Sequence, residues 1–369
     1  MQRTKPPFRA DHVGSLLRPA ALKDARARHE QGAIDAAALQ AVEDREIETI
    51  VRRQEAAGLK LATDGEFRRA WWHFDFFKGL DGVSSYTADQ GIQFAGVQTK
   101  AEAIKVTGRI GFSGHAHVEH FRFLKGCARV TPKMTLPAPG VFHFRQGRIA
   151  ISKEVYPDLG AYFDDVAEAW RKAVHAFYDA GCRYLQLDDT TWSMLCDENE
   201  RANSRHRGDD PDSLPAHYAR MINHAIADRP ADMAITMHSC RGNFRSTWIA
   251  QGGYEPVAKM LFETVKVDGF FLEYDSDRAG GFEPLRFVPK GGPQIVLGLV
   301  TSKSGVLERK DDLKRRIDEA SKYVPVEQMC LSPQCGFAST EEGNILAEEE
   351  QWAKLRMIVE VSDELWGKN

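Results

Sequence analysis

The sequence predicts an α/β protein of the (β/α)8 barrel class, with a β-hairpin inserted after the second strand. Three observations carry this. Short apolar strands alternate with amphipathic helices, the pattern of parallel βαβ units. About eight such units fit within 369 residues, which favours a barrel over an open doubly wound sheet. No Gly-rich fingerprint follows an early strand, as a dinucleotide-binding sheet would require.

The elements follow in order. "ADHVGS" opens as the first strand. Residues 35–57 then place Leu39, Val42, Ile47, Ile50 and Val51 on one helical face, with Gly58 as a stop before the second strand, "LKLATDGEF". Residues 83–125 break the rhythm. There "AIKVTGRIGF" and "HVEHFRFLKG" alternate with period two and read as the two arms of the hairpin. "ARVTPKMTLPAP" is the third strand. The helix over 159–180 carries Tyr162, Phe163, Val166, Trp170, Val174 and Phe177 at helical spacing, and Gly181 ends it before "RYLQLDD". Helices near 216–227, 255–266 and 310–323 separate "MAITMHSC", "GFFLEYD", "QIVLGLV" and "QMCLSPQCG". No low-complexity linker divides the chain, so residues 1–369 are expected to form one catalytic domain.

Composition narrows the function. A hydrophobic content of 43% with 28% charged residues supplies an ordinary globular core. A formal charge of −4, without a basic stripe, argues against nucleic acid as a partner. No apolar run is long enough to span a bilayer, and the basic N-terminus lacks the apolar stretch of a signal peptide, so a cytoplasmic location is expected. Six cysteines are too sparse for a disulfide scaffold.

In such a barrel the chemistry gathers at the C-terminal ends of the strands. Here those ends are rich in reactive types: Asp11, His12, Gly14 and Ser15; Asp64 and Glu66; Asp188 and Asp189; His238 and Cys240; Glu273 and Asp275; Cys335. Residues i and i+2 of a strand share a face, so His238 and Cys240 both aim at the mouth while Ser239 turns away. Glu273 on the next strand and Cys335 on the last can converge with them. Two cysteines, one histidine and one glutamate make a set suited to tetrahedral zinc. Taken singly, a His-x-Cys pair or one cysteine is more often core; the shared strand-end position raises the joint reading. For Glu273 the competing role is an ion pair with a neighbour, as is common for a strand-end carboxylate. The wide spacing excludes a zinc-finger module and fits a catalytic metal tying together a fold with its own core. Two thiolates and a carboxylate outweigh a divalent cation, which makes a poor water activator. They favour holding an incoming thiol as a nucleophilic thiolate.

"RADHVGSLLRP", "DGEF", "LQLDD", "MHSC", "LEYDSDRAG" and "LSPQCGFAS" together resemble the cobalamin-independent methionine synthase family, in particular its catalytic C-terminal barrel and short single-barrel members. The resemblance spans about residues 8–360. It implies a zinc-dependent methyltransferase forming methionine from homocysteine, with zinc on His238, Cys240, Glu273 and Cys335. It also implies Gly14 and Ser15 at the amino-acid carboxylate and Glu66 and Asp188 at the ammonium, a division that matches donors to an anion and carboxylates to a cation. The competing roles are a salt bridge from Glu66 to Arg68 or Arg69, and a helix cap for Asp188.

Two departures matter. The residues in hand are expected to match one barrel rather than the duplicated pair of the long members, which leaves the methyl donor open between 5-methyltetrahydrofolate and a methylcorrinoid. The family's "HS" after the seventh strand reads "TSKSG", placing Lys303 near its acid. Trp192 is a candidate stacking surface for a flat donor ring, or else packs on the rim. The alternatives are alkyl transfer to another thiol such as coenzyme M, or a non-catalytic zinc- or partner-binding protein. The pattern leaves a homo-oligomer open.

Overall fold

Seven parallel strands form the main sheet. In chain order the strands are β1 (Leu61–Ala62), β2 (Asp81–Thr87), β3 (Gln93–Phe94), β4 (Val97–Gln98), β5 (Glu102–Gly111), β6 (Thr131–Pro137), β7 (Tyr184–Asp189), β8 (Ala234–Ser239), β9 (Gly269–Glu273), β10 (Gln294–Val300) and β11 (Met329–Pro333). The computed structural model describes residues 3–87, 91–99, 102–145 and 147–368. The sheet runs β1-β6-β7-β8-β9-β10-β11, each strand parallel to its neighbours, and curls in the manner of a (β/α)8 barrel. The expected first strand is reduced to one parallel bridge, Ala10 to Leu331, with Asp11 N donating to Leu331 O at 3.0 Å. Past it the chain turns at Gly14, which adopts φ +146° and where a Cβ would meet Thr135 Cγ2 at 2.6 Å.

β7 and β9 are buried at every position, as expected for strands covered on both faces. Helices fill the crossovers. Asp35 caps Ala36–Ala56 through Ala38 N, and Ile47, Ile50 and Val51 form its buried face. Asp158 caps Leu159–Asp179, whose Trp170 donates from Nε1 to Pro137 O at 2.7 Å and so ties that helix to the end of β6. Leu214–Ile226, Glu255–Thr264 and Lys310–Ser321 follow as anticipated within a few residues. The helix Glu348–Trp366, which the sequence reading did not single out, packs Trp352, Leu355, Ile358 and Val361 inward. No helix among the described residues is long and apolar enough to cross a membrane.

The inserted segment differs from its expected form. "AIKVTGRIGF" does contain a strand, but β5 pairs antiparallel with β2, Val106 facing Val83, and not with residues 117–126. Those residues form the helix Ala116–Cys127. Val118, Phe121 and Leu124 recur every three residues and are buried together, and His115 caps the helix through Nδ1. Between β2 and β5 lies the short antiparallel pair of β3 and β4.

Candidate metal centre and substrate cleft

β8 delivers His238, and Cys240 follows one residue past its end; β9 ends on Glu273, and Cys335 lies two residues beyond β11. Their ligand-type atoms all fall within 4.8 Å of one another, and all four residues are buried. Strand alternation works as expected: Ser239 turns outward to Ser193, hydroxyl to hydroxyl at 2.7 Å. The loop after Cys240 wraps the cluster. Gly242 N donates to Cys240 Sγ at 3.3 Å, and Arg241 N to Glu273 Oε1 at 3.2 Å. Cys240 and Cys335 stand 3.5 Å apart, sulfur to sulfur.

The cluster has unmet demand. Neither ring nitrogen of His238 makes a directed hydrogen bond, and neither does Glu273 Oε2, which has only Arg278 at 3.5 Å. An unsatisfied buried polar group costs about 1–3 kcal/mol, so a structure keeps several together only where something else completes them. Two sulfurs, an imidazole and a carboxylate at this separation fit a tetrahedral divalent cation.

Electrostatics agree. Burial works against a charge on His238, but Cys335, with Asp188 and Glu273, outweighs it and raises the ring to about 9. The hydrogen bond between the two thiols holds Cys335 well below its ordinary value and pushes Cys240 well above. These directions favour positive charge beside Cys335, which a divalent cation held by the four residues would supply.

A narrow cleft opens beside this cluster and is lined by His238, Cys240 and Cys335 together with Ser15, Glu66 and Asp188. Glu66 occupies the turn after β1 at φ +61°, a conformation that is uncommon for a side-chain-bearing residue. Its Oε1 accepts from Thr135 Oγ1 at 3.0 Å, while Oε2 has no partner. Arg69 comes no nearer than 3.8 Å, being committed to Thr135 O, and Arg68 pairs instead with Glu43 and Asp44. Asp188 accepts from Gln186 Nε2 at 2.7 Å. Burial raises its carboxyl to about 7, with His238 opposing and Glu66 reinforcing. It caps no helix; its neighbour Asp189 does, accepting from Thr191 N and Trp192 N. Ser15 Oγ accepts from Ala338 N at 3.3 Å, and Gly14 presses its backbone against Thr135 and Glu66.

Two expected residues lie elsewhere. Trp192 is fully buried in the short helix Thr191–Met194 and presents no stacking face, because that helix turns it into the core immediately after β7. Lys303 does not line the cleft. Its ammonium is taken up by Gly242 O, Asn243 Oδ1 and Thr247 O at 3.0–3.3 Å, bracing the loop that follows Cys240. The aromatic walls are instead Trp71, Trp72, His73 and Phe94. Sequence reading missed these, since they sit in turns and in the insertion, without periodicity. Asp11 and His12, noted as a strand end, face the opposite part of the barrel, where Lys133 reaches Asp11 Oδ1 at 3.0 Å.

A curled parallel α/β sheet with two thiols, an imidazole and three carboxylates gathered at its strand ends defines a class: barrel-type proteins built around a thiol-rich candidate metal centre. The chain belongs to the cobalamin-independent synthase, catalytic domain, family, whose model matches residues 8–364, and that family membership implies a methyltransferase. It is 55% identical over 368 residues to the uncharacterised protein YxjG of Bacillus subtilis, covering 99% of this chain and 97% of that one. To the uncharacterised YxjH of the same organism it is 53% identical over 366 residues, covering 99% and 96%. A solved Listeria monocytogenes structure, named provisionally as a vitamin-B12 independent methionine synthase, superposes with a TM-score of 0.82 at 44% identity, covering 99% of this chain and 100% of that chain.

Proposed function

We propose that the chain is a zinc-dependent S-methyltransferase that moves a methyl group onto the thiolate of homocysteine to give methionine, acting as one (β/α)8 domain whose first strand is reduced to a single bridge. The observation that carries this reading is the convergence of His238, Cys240, Glu273 and Cys335 in the cleft that also holds Glu66 and Asp188. Zinc, when bound by these four, would hold the acceptor sulfur as a thiolate at neutral pH.

The chain's own residues do the rest. Glu66 and Asp188 form an acidic corner whose buried carboxyls an arriving ammonium group would hold in their charged form, and Glu66 Oε2 has no protein partner to displace. The Ser15 hydroxyl can donate to a carboxylate on the same molecule. Two carboxylates in this position suit an amino acid and oppose the sulfonate of coenzyme M. Trp71, Trp72 and Phe94 exclude water from the approach of the donor, a methylfolate or methylcorrinoid. In-line attack needs sulfur and methyl carbon within about 3–3.5 Å, so positioning supplies much of the rate.

The test is zinc content by mass spectrometry with homocysteine titration followed at the zinc X-ray absorption edge. One zinc per chain and a new sulfur neighbour on titration, together with methionine formation from a methyl donor, is the expected result. Zinc-free protein after careful preparation would overturn the reading.

A further inference from the structure

One wall of the cleft is left unexplained by homocysteine. Arg145 lines it, at the end of the short helix Pro139–Phe144, with its backbone N–H fixed on Val141 O. Its guanidinium makes no hydrogen bond and no ion pair among the described residues, and its buried Nε has no partner. Glu200 and Asp189 stand within its field, but neither reaches ion-pair distance. Thr190 and His73 line the same cleft, each almost fully buried. The Thr190 hydroxyl and both ring nitrogens of His73 also lack partners. Buried donors left open on the walls of one cleft point to a ligand that completes them. A guanidinium with a hydroxyl and an imidazole N–H beside it matches a carboxylate or phosphate.

These donors come from segments other than those that carry Ser15 and Glu66. The charged groups that act most on the Arg145 guanidinium are Glu200, Cys240, Arg207 and Asp189, all on or after β7 and β8. Ser15 and Glu66 lie instead in the turns before and after β1, on other segments of the same cleft. We propose that Arg145, Thr190 and His73 form a subsite for an anionic group, carboxylate or phosphate, carried by the methyl donor. This rests on the methyl-transfer reading for the identity of the ligand, but not for the existence of the subsite.

The experiment has two arms on the zinc-loaded full chain, comparing wild type with R145Q, R145K and T190V, each checked for an unchanged thermal midpoint. In the first arm sulfate and glutarate are titrated without substrate, read by the fluorescence of Trp71 and Trp72. Saturable binding in the wild type, weakened by at least about tenfold in R145Q and partly regained in R145K, supports the subsite. A wild type that binds neither anion overturns it.

In the second arm, R145Q is expected to raise the KM for 5-methyltetrahydrofolate by roughly tenfold to a hundredfold and to leave that for homocysteine within about twofold. A rise for homocysteine instead would place the guanidinium on the acceptor's carboxylate and overturn the assignment to the donor, as would no change in either. If the wild type transfers no methyl group while R145Q still loses anion binding, the methyl-transfer reading falls and the anion subsite stands.

Discussion

The curled sheet holds two buried polar clusters, and they are built on opposite terms. Toward the strand starts, Lys133 Nζ donates to Asp11 Oδ1 at 3.0 Å and to His12 O at 2.6 Å. Asp11 Oδ2 accepts from Phe8 N and the Tyr184 hydroxyl, and His12 Nε2 meets Gln54 Oε1 at 3.0 Å. Lys133 also lies over the rings of Tyr184 and Phe271. Nearly every donor there has its acceptor. At the mouth, His238, Glu273, Glu66, Thr190 and His73 all keep open positions. A closed network specifies a fold; an open one, equally buried, awaits other molecules.

Four measurements break or sharpen that contrast. Cys335→Ser is expected to remove zinc and to cut methionine formation by at least roughly a thousandfold, with little change in denaturant midpoint of the metal-free chain. A large loss of metal-free stability would make the mouth cluster structural. Lys133→Met should do the reverse. Stranding the buried Asp11 carboxylate costs about 3–5 kcal/mol in urea unfolding, whereas zinc content in the folded fraction stays at one.

The third concerns acid. Burial, with Lys133 nearby, depresses His12 to about 3 despite its bond to Gln54. Because the unfolded chain takes up a proton near pH 6.5 that the folded chain refuses, this residue's contribution is complete above that pH. It falls away as the pH drops toward 3, at about 1.4 kcal/mol per unit. His12→Gln should flatten the acid limb of a stability–pH curve by that slope; an unchanged limb would mean the ring is not held neutral. The smallest effect is expected for Lys303→Met. As a loop brace it should lower kcat less than about tenfold and leave the pH profile unchanged, whereas a general acid would cost roughly a hundredfold or more and remove a limb.

How far the sequence could be read follows from the same contrast. His238 and Cys240 were legible because strand alternation sends i and i+2 the same way, and Glu273 and Cys335 because they end neighbouring apolar runs. The helices over 159–180 and 35–57 showed their buried stripes and their Gly stops. Residues 117–126 misled, since a ten-residue run with an apolar residue at every third position also shows near-alternation. Trp192 misled differently: proximity to the Asp188–Asp189 strand end says nothing about which way a one-turn helix points. Arg145, Thr190 and the Trp71–His73 turn carry no period at all. Only the fold reveals that they share a wall.

The 3.5 Å between Cys240 and Cys335 has a further consequence, for the life of the protein outside its working state. Metal loading and oxidation would compete for the same two sulfurs, and the lowered thiol of Cys335 would favour both. An oxidant that meets the empty centre first and takes two electrons from the pair would remove half the ligands in one event. Ageing preparations would then lose activity without unfolding, and a thiol reductant supplied with zinc, rather than either alone, would bring it back.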